Sequence, residues 1–577
     1  MSPRNVSPRA LRAAARSGLL WVLITLPIWA YLVELPSFGR LQHNDYYAIL
    51  GDLVEGDSLT ADPLRWLNLK SNEHRATLPV LVYALNIALT DGDNLGLTCF
   101  TLLLLTVVLV MLVKALPSGI RRVPWARALF GLALALFCYT PVAAHNVAMG
   151  FSGTIWFFAN ALSVAAITAL TRRAERGRYW SLWPVLLFGI AAAFSHSTHL
   201  VLWPALLAGG VFLRASWRRL ALLAAGTAFV AALFALSYEA LPYHPEMNTH
   251  HPRVLVRYTA AYLGSLFGGE LATVRAIGEI GLAASVLGLC LAAALAAAKG
   301  PAAGSLRRDL APWLMIQLYG LGNAALTAVG RSGFGEGQAT SSRYASLAAL
   351  FWIGLLTPLG ILVWRHRSIL AGRAGGLVLA VLVAVLAILM HRHGDPVIER
   401  FADRGSRQGV AALALVRGIH DDEIIKQTVA PWPVHVWNLR GYLQASGHVP
   451  FDREWPLSID EPIDPARLAE RLPDGLIGNV DRLIELPSGV LRVAGWAYGA
   501  EAEIAEVLVL DQDDTVRGEV VLGIRRHDLV PAIHRDALTA GWEGYALKGR
   551  GIAGLRVYVR LAGDATLYPL PMNVEIP

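Results

Sequence analysis

Residues 38–75 read FGRLQHNDYYAILGDLVEGDSLTADPLRWLNLKSNEHR, and the placement of this stretch decides how the rest of the chain is read. It follows a hydrophobic run at 18–35 and precedes a shorter apolar segment, Thr77–Thr90. Two polar clusters bracket it, His43-Asn44-Asp45-Tyr46-Tyr47 and Asn72-Glu73-His74-Arg75. A loop tethered at both ends to apolar helices holds these groups at a bilayer surface, an unusual place for so much ionisable chemistry.

The membrane assignment comes from composition. The 577 residues are 55% hydrophobic and 16% charged, and the mean hydropathy is +0.47. That leaves too little polar surface to cover a soluble globule. Apolar runs occur at 18–35, 95–115, 127–142, 154–171, 181–195, 199–213, 219–237, 277–298, 310–330, 345–363 and 374–391. Their lengths approach the ~20 residues that a helix needs to cross ~30 Å of hydrocarbon. The expected fold is an α-helical polytopic membrane protein with about eleven transmembrane helices over residues 1–394. Thr77–Thr90 is too short to cross and is read as a helix on the outer face, inside an outer loop spanning 36–94. The first run resembles an uncleaved signal anchor.

Charge gives the expected orientation, because basic loops stay cytoplasmic. With the N-terminus inside, 21 of the 31 basic residues before residue 395 fall in inner loops, but only Glu175 and Asp309 among 16 acids do. The formal charge of +7 thus divides into +15 for residues 1–394 and −8 for 395–577. This excess is topological and calls for no nucleic-acid partner. Cys99, Cys138 and Cys290 all lie in hydrophobic runs, so no disulfide framework is expected.

Mid-depth polar residues are few. Asn86, Asn160, Gln317 and Asn323 read as interhelical hydrogen-bonding amides, whereas a transporter would place ionisable groups there. The ionisable groups sit instead at the outer ends. They include His145-Asn146, the turn Ser195-His196-Ser197-Thr198-His199, a loop beginning at Tyr238, and RSGFGEGQATSSRY at 331–344. Three readings compete for them. They are solvated loop residues, or a divalent-metal site of Asp45, Glu73 and two histidines, or a phosphate site with arginines opposite a carboxylate base. The glycine-rich turn flanked by Arg331 and Arg343 favours the third, since glycine admits close approach and guanidinium clamps phosphate in a bidentate way. A structural ion pair between Arg343 and Glu336 is the alternative.

An inside N-terminus, an Asp early in the first outer loop, an amphipathic stretch along the membrane, about a dozen helices and a C-terminal extracytoplasmic domain resemble the GT-C glycosyltransferases over residues 1–395. Asp45 in HNDYY is the one sharp residue match. The resemblance implies transfer of a sugar from a polyprenyl-phosphate carrier to a cell-envelope acceptor on the outer face of a bacterial inner membrane, with inversion. It gives Asp45 the general-base position. Arg343, helped by Arg331 or Arg75, would hold the phosphate. Glu73, His74, His196, His199 and Tyr344 complete the candidate substrate-binding set. The second acid common in the family is replaced by Tyr46, and no metal cofactor is implied. A lipid-linked glycan polymerase or ligase and a lipid-linked sugar flippase are the alternatives.

Residues 395–477 read as a helical extracytoplasmic region with a Pro-Trp-Pro break at 431–433. From 478 onward the period switches to two. Segments 489–497, 503–510, 515–523 and 554–561 predict a small antiparallel β-sandwich over 478–577. Trp496 and Trp542 lie in Gly-flanked motifs and read as core residues, with glycan stacking as the alternative.

Overall fold

The structure, a computed structural model, describes residues 18, 22, 24–71, 74–175, 182–197, 199–238, 245–248, 250–365, 373–455, 459–547 and 554–572. The chain forms two compact units. One comprises Met1–Leu35, Asp62–Leu85 and Gly96–Glu399; the other comprises Pro36–Ala61, Asn86–Leu95 and Arg400–Pro577. Residues 38–61 of the 38–75 stretch therefore belong with the C-terminal unit.

The first unit is helical. Its main helices are α1 (Thr77–Thr90), α2 (Asn94–Ala115), α3 (Pro124–Cys138), α4 (Gly150–Glu175), α5 (Trp183–Ala193) and α6 (His199–Phe212). They continue with α7 (Trp217–Ser237), α8 (Pro252–Gly264), α9 (Leu271–Ala297), α10 (Pro301–Arg331), α11 (Ala345–Arg365) and α12 (Arg373–Ser406), whose residues from Arg400 on belong to the second unit. Among the described residues six helices are long and apolar enough to cross a membrane, namely α2, α3 with its continuation to Ala148, α4, α7, α9 and α11. They match six of the eleven apolar runs. Two other runs form α5, with 11 residues, and α6, with 14. At 1.5 Å rise per residue these reach only about 16 and 21 Å, short of the hydrocarbon thickness. The run at 310–330 lies inside α10, whose first turns carry Arg307, Arg308 and Asp309. The described part of 18–35 is helical, with residues 18, 22 and 24–25 in helix, a 3-10 turn at Leu26–Ile28, an α-helix at Trp29–Glu34 and a 3-10 turn from Leu35. The run at 374–391 lies in α12, where most of its side chains fall outside the described residues.

Packing separates the helices into inner and outer ones. Most of α4 and α11 is buried, whereas only 11% of the apolar window of α7 and of α9 is. Leu222, Phe229 and Leu236 on α7, and Ile280, Leu287 and Leu291 on α9, stand exposed. α8 and α9 touch backbone to backbone. A Cβ at Gly264 would sit 1.8 Å from Val274 O, and one at Gly278 would sit 1.7 Å from Ala260 O. Mid-helix amides are satisfied between or within helices. Gln317 Nε2 donates to Ser285 Oγ (2.8 Å), Tyr319 OH to Asn160 Oδ1 (3.0 Å) and Asn323 Nδ2 to Tyr319 O (2.8 Å). Hydrocarbon offers no water to such groups, so pairing is the stable outcome.

The second unit joins α13 (Gln408–Arg417), α14 (Asp422–Thr428) and α15 (Pro433–Ala445) to a sheet. Its strands are β1 (Leu476–Glu485), β2 (Val490–Gly499), β3 (Ile504–Leu510), β4 (Val516–Ile524), β5 (Gly541–Leu547), β6 (Arg556–Leu561) and β7 (Leu567–Pro569). They pair antiparallel in the order β7-β6-β3-β4-β5-β2-β1. The four strands expected from sequence are β2, β3, β4 and β6. The expected sandwich is corrected to a single sheet. After β7 the chain returns alongside β1, where Val480 N–H donates to Pro571 O (2.9 Å). The curled layer encloses its own core of Val480, Leu491, Val493, Val509, Val557 and Trp542, so no second sheet is needed to cover its apolar face. Trp542 is core, at 1% exposure, as one of its two readings held.

The helices lock onto this sheet through buried charge. Arg492 on β2 pairs with Asp421 (2.9 Å) and Glu423 (2.7 Å), and Arg407 pairs with Glu543 on β5 (3.0 Å). Tyr545 OH also donates to Asp421 (3.0 Å), which caps α14 by accepting from Ile424 N–H (3.2 Å).

Candidate functional site

In the first unit the polar groups gather where several helices end. His74–Arg75 pairs with Lys70–Ser71 in a two-residue ladder and runs into α1. There Leu78 N–H donates to Phe194 O (2.9 Å) in the α5–α6 turn. The ring of His74 lies against that of His196 in this turn, with centroids 4.0 Å apart. His196 also packs on Trp156 of α4 (4.3 Å), and Trp156 meets Tyr344 edge-on (6.0 Å). Tyr344 stacks on Tyr262 of α8 (5.0 Å, 24°). Five rings thus form one continuous series, His74-His196-Trp156-Tyr344-Tyr262.

The loop 331–344 folds as three short 3-10 turns, Ser332–Phe334, Glu336–Thr340 and Ser342–Tyr344. Gly335, at φ +93°, makes the reversal that a side chain would strain. The last turn is stapled to the α3–α4 corner. Asn146 Nδ2 donates to Arg343 O (2.8 Å), His145 N–H donates to Ser342 Oγ (3.1 Å), and Ser342 Oγ donates to Val142 O. Asn146 is fully buried, and its Oδ1 accepts from Ser152 Oγ (3.0 Å). Tyr258 OH holds Gln338 from the α8 side (2.9 Å).

On this scaffold the Arg343 guanidinium lies 5.2 Å over the Tyr344 ring. The Arg343–Glu336 pair allowed by sequence does not form, because Glu336 is bracketed by Arg275 (3.0 Å) and Arg257 (3.1 Å). Arg343 makes no ion pair and no side-chain hydrogen bond among the described residues, and its Nε is buried without a partner. Arg75 is in the same condition. Burial pushes the Tyr258 hydroxyl pKa up, and the neighbouring Tyr344 adds to this, while the charges of Arg343 and Arg331 pull it down. Cations withdrawn from water without a counter-charge are costly, and an oxyanion relieves the cost.

Glu73 lies outside the described residues, and His199 opens α6 with its side chain outside them. Asp45 belongs to the second unit, at the start of the short helix Asp45–Gly51. Asn44 precedes it at φ +45°, with its N–H bonded to Val429 O (3.0 Å). Tyr46 and Tyr47 are buried at 1% exposure, whereas Asp45 is exposed. Tyr46 OH lies 3.1 Å from His448 Nε2, and His448 Nδ1 lies 3.2 Å from Val449 O. This network assigns the proton to Nδ1, so that Nε2 accepts from the phenol. Burial lowers the His448 pKa to about 4, against the opposing Val449 carbonyl and the charges of Asp91 and Asp452. The HNDYY cluster is therefore sorted by its helix: the aromatic rings go into the core, and one carboxylate faces out.

Among the described residues no group of three His, Cys, Asp or Glu side chains is placed to hold a metal. Sequence reasoning missed Trp156 and Tyr262, because each sits in an apolar run and reads as packing. The small residues Gly150, Ser152, Gly153 and Thr154 ahead of Trp156 were the available signal; a Cβ at Gly153 would lie 2.1 Å from Asn146 O. No protein-family model, curated protein or solved structure matches the chain.

Proposed function

We propose that the protein is a membrane glycosyltransferase that moves a sugar from a polyprenyl-phosphate carrier to a cell-envelope acceptor on the extracytoplasmic face. The observation that carries this reading is the pair of half-buried arginines, Arg343 and Arg75, each beside the series of rings or its ladder and without a counter-ion among the described residues. Arginine binds phosphate bidentately, and aromatic faces pack against sugar rings. Arg343 and Arg75, with Arg331, hold the carrier phosphate. His74, His196 and Tyr344 line the sugar. A base takes the proton of the acceptor hydroxyl as that oxygen attacks the anomeric carbon, and the sequence resemblance proposes Asp45 for that role. The bond to the phosphate oxygen breaks on the opposite face, so configuration inverts. The leaving phosphate keeps its electron pair under arginine neutralisation and needs no general acid.

An inside N-terminus and an odd number of crossings complete this proposal and bring the C-terminal segment to the outer face. The internal pairing of Asn160, Gln317 and Asn323 favours the enzyme over a flippase, which would keep polar groups open to cargo. Release of polyprenyl phosphate in membranes tests the mechanism. Asp45→Asn is expected to slow it by about 10²–10⁴-fold, and Arg343→Ala by about 10²–10³-fold. Wild-type turnover in both variants removes the proposal.

A further inference from the structure

The second unit contains a cavity of about 320 Å³, formed where residues 36–41, α13, the segment around Pro450 and the end of β4 come together. Three arginines line it, each from a different segment: Arg40, Arg453 and Arg525. No Asp or Glu lines it. Ser37, Ser406 and Thr539 add hydroxyls, and Gly523, at φ +85° with no heavy atom near its missing side chain, leaves the wall open.

The three cations differ in their commitments. Arg40 is held in place by Asp93 (2.7 Å) and Asp452 (2.6 Å), neither of which lines the cavity. Arg525 is 9% exposed and forms an ion pair with Asp403 (3.6 Å), which does not line the cavity, and its backbone N–H donates to Ser406 Oγ (3.4 Å). Arg453 makes no ion pair or side-chain hydrogen bond among the described residues and rests over the Trp455 ring at 4.6 Å. Arginines brought from separate segments to one cavity that no acid lines can form a receptor for an oxyanion, with Arg453 as the cation left to meet it. The volume is at the small end for ligand pockets and suits one sugar residue rather than a lipid chain.

We propose that this cavity binds the anionic group of an acidic saccharide, a carboxylate or a phosphate carried on a sugar ring. The hydroxyls of Ser37 and Thr539 then meet ring hydroxyls while the arginines hold the charge. The site is distinct from the Arg343 cluster and does not depend on the transferase reading.

The test uses full-length protein in detergent, titrated with glucuronate, glucose 6-phosphate and glucose. The two anions are expected to bind and glucose is not. Arg453→Gln is expected to weaken the anions roughly tenfold or more, the worth of a charge-assisted hydrogen bond, while thermal stability stays unchanged. Preference for glucuronate assigns a uronic acid, and preference for glucose 6-phosphate assigns a sugar phosphate. Glucose binding as tightly as the anions, neither anion binding, or binding lost in Arg343→Ala and kept in Arg453→Gln each overturns the proposal.

Discussion

His448 shows what one buried ring does to this protein. Its unfolded pKa of about 6.5 falls to about 4 in the folded chain, first because burial disfavours the charged form. The unfolded chain therefore binds the extra proton between these values. The stability that neutral His448 contributes is complete above pH ~6.5 and is lost as pH falls toward 4, by up to about 3 kcal/mol. Thermal melting of the protein between pH 7 and 4.5 is expected to show this loss, and His448→Gln is expected to flatten it. At the same scale, Arg343, His74, His196 and Tyr344 were legible in the sequence because polar residues at helix ends have few reasons to be there. Trp156 and Tyr262 were not, since an aromatic residue inside an apolar run gives no sign of which ring it will touch.

Elements were legible where the bilayer or a strict period dictates them. Six long apolar runs became six long helices because hydrocarbon thickness fixes the length of a crossing helix. Strands β2, β3, β4 and β6 announced themselves by alternation. β1 did not, because a register shift between Val480 and Arg482 breaks its period, and β5 is buried on both faces apart from its last residue. Gly278→Leu drives a side chain into the Ala260 carbonyl and is expected to cost about 3 kcal/mol or more, read as a lower melting temperature in detergent. Arg492→Met leaves Asp421 buried without its cation, while Glu543 keeps Arg407, and is expected to cost about 3–5 kcal/mol in the stability of the second unit, read by chemical unfolding.

For the whole molecule, the sequence announced a helical membrane part and a β-rich end but not how the chain is shared between them. Residues 36–61 and 86–95 fold with the C-terminal unit through contacts that no local pattern announces. Gln408 Oε1 accepts from Leu41 N–H (3.0 Å), Arg40 pairs with Asp452, and Asp91 O accepts from Val449 N–H (2.9 Å). A fragment beginning at Arg400 lacks these partners and is expected to be aggregated or poorly ordered by circular dichroism. Adding residues 36–61 and 86–95 through linkers is expected to restore a cooperative melt.

The interleaving also sets a timetable for biogenesis. Some three hundred residues separate Leu95 from Arg400, and a ribosome takes roughly 15–60 s to add them. Throughout that interval the nascent chain holds Tyr46 and Tyr47 ready for a partner not yet made, so a chaperone that shields the early loop, or slow insertion of the intervening helices, would govern the yield of finished protein.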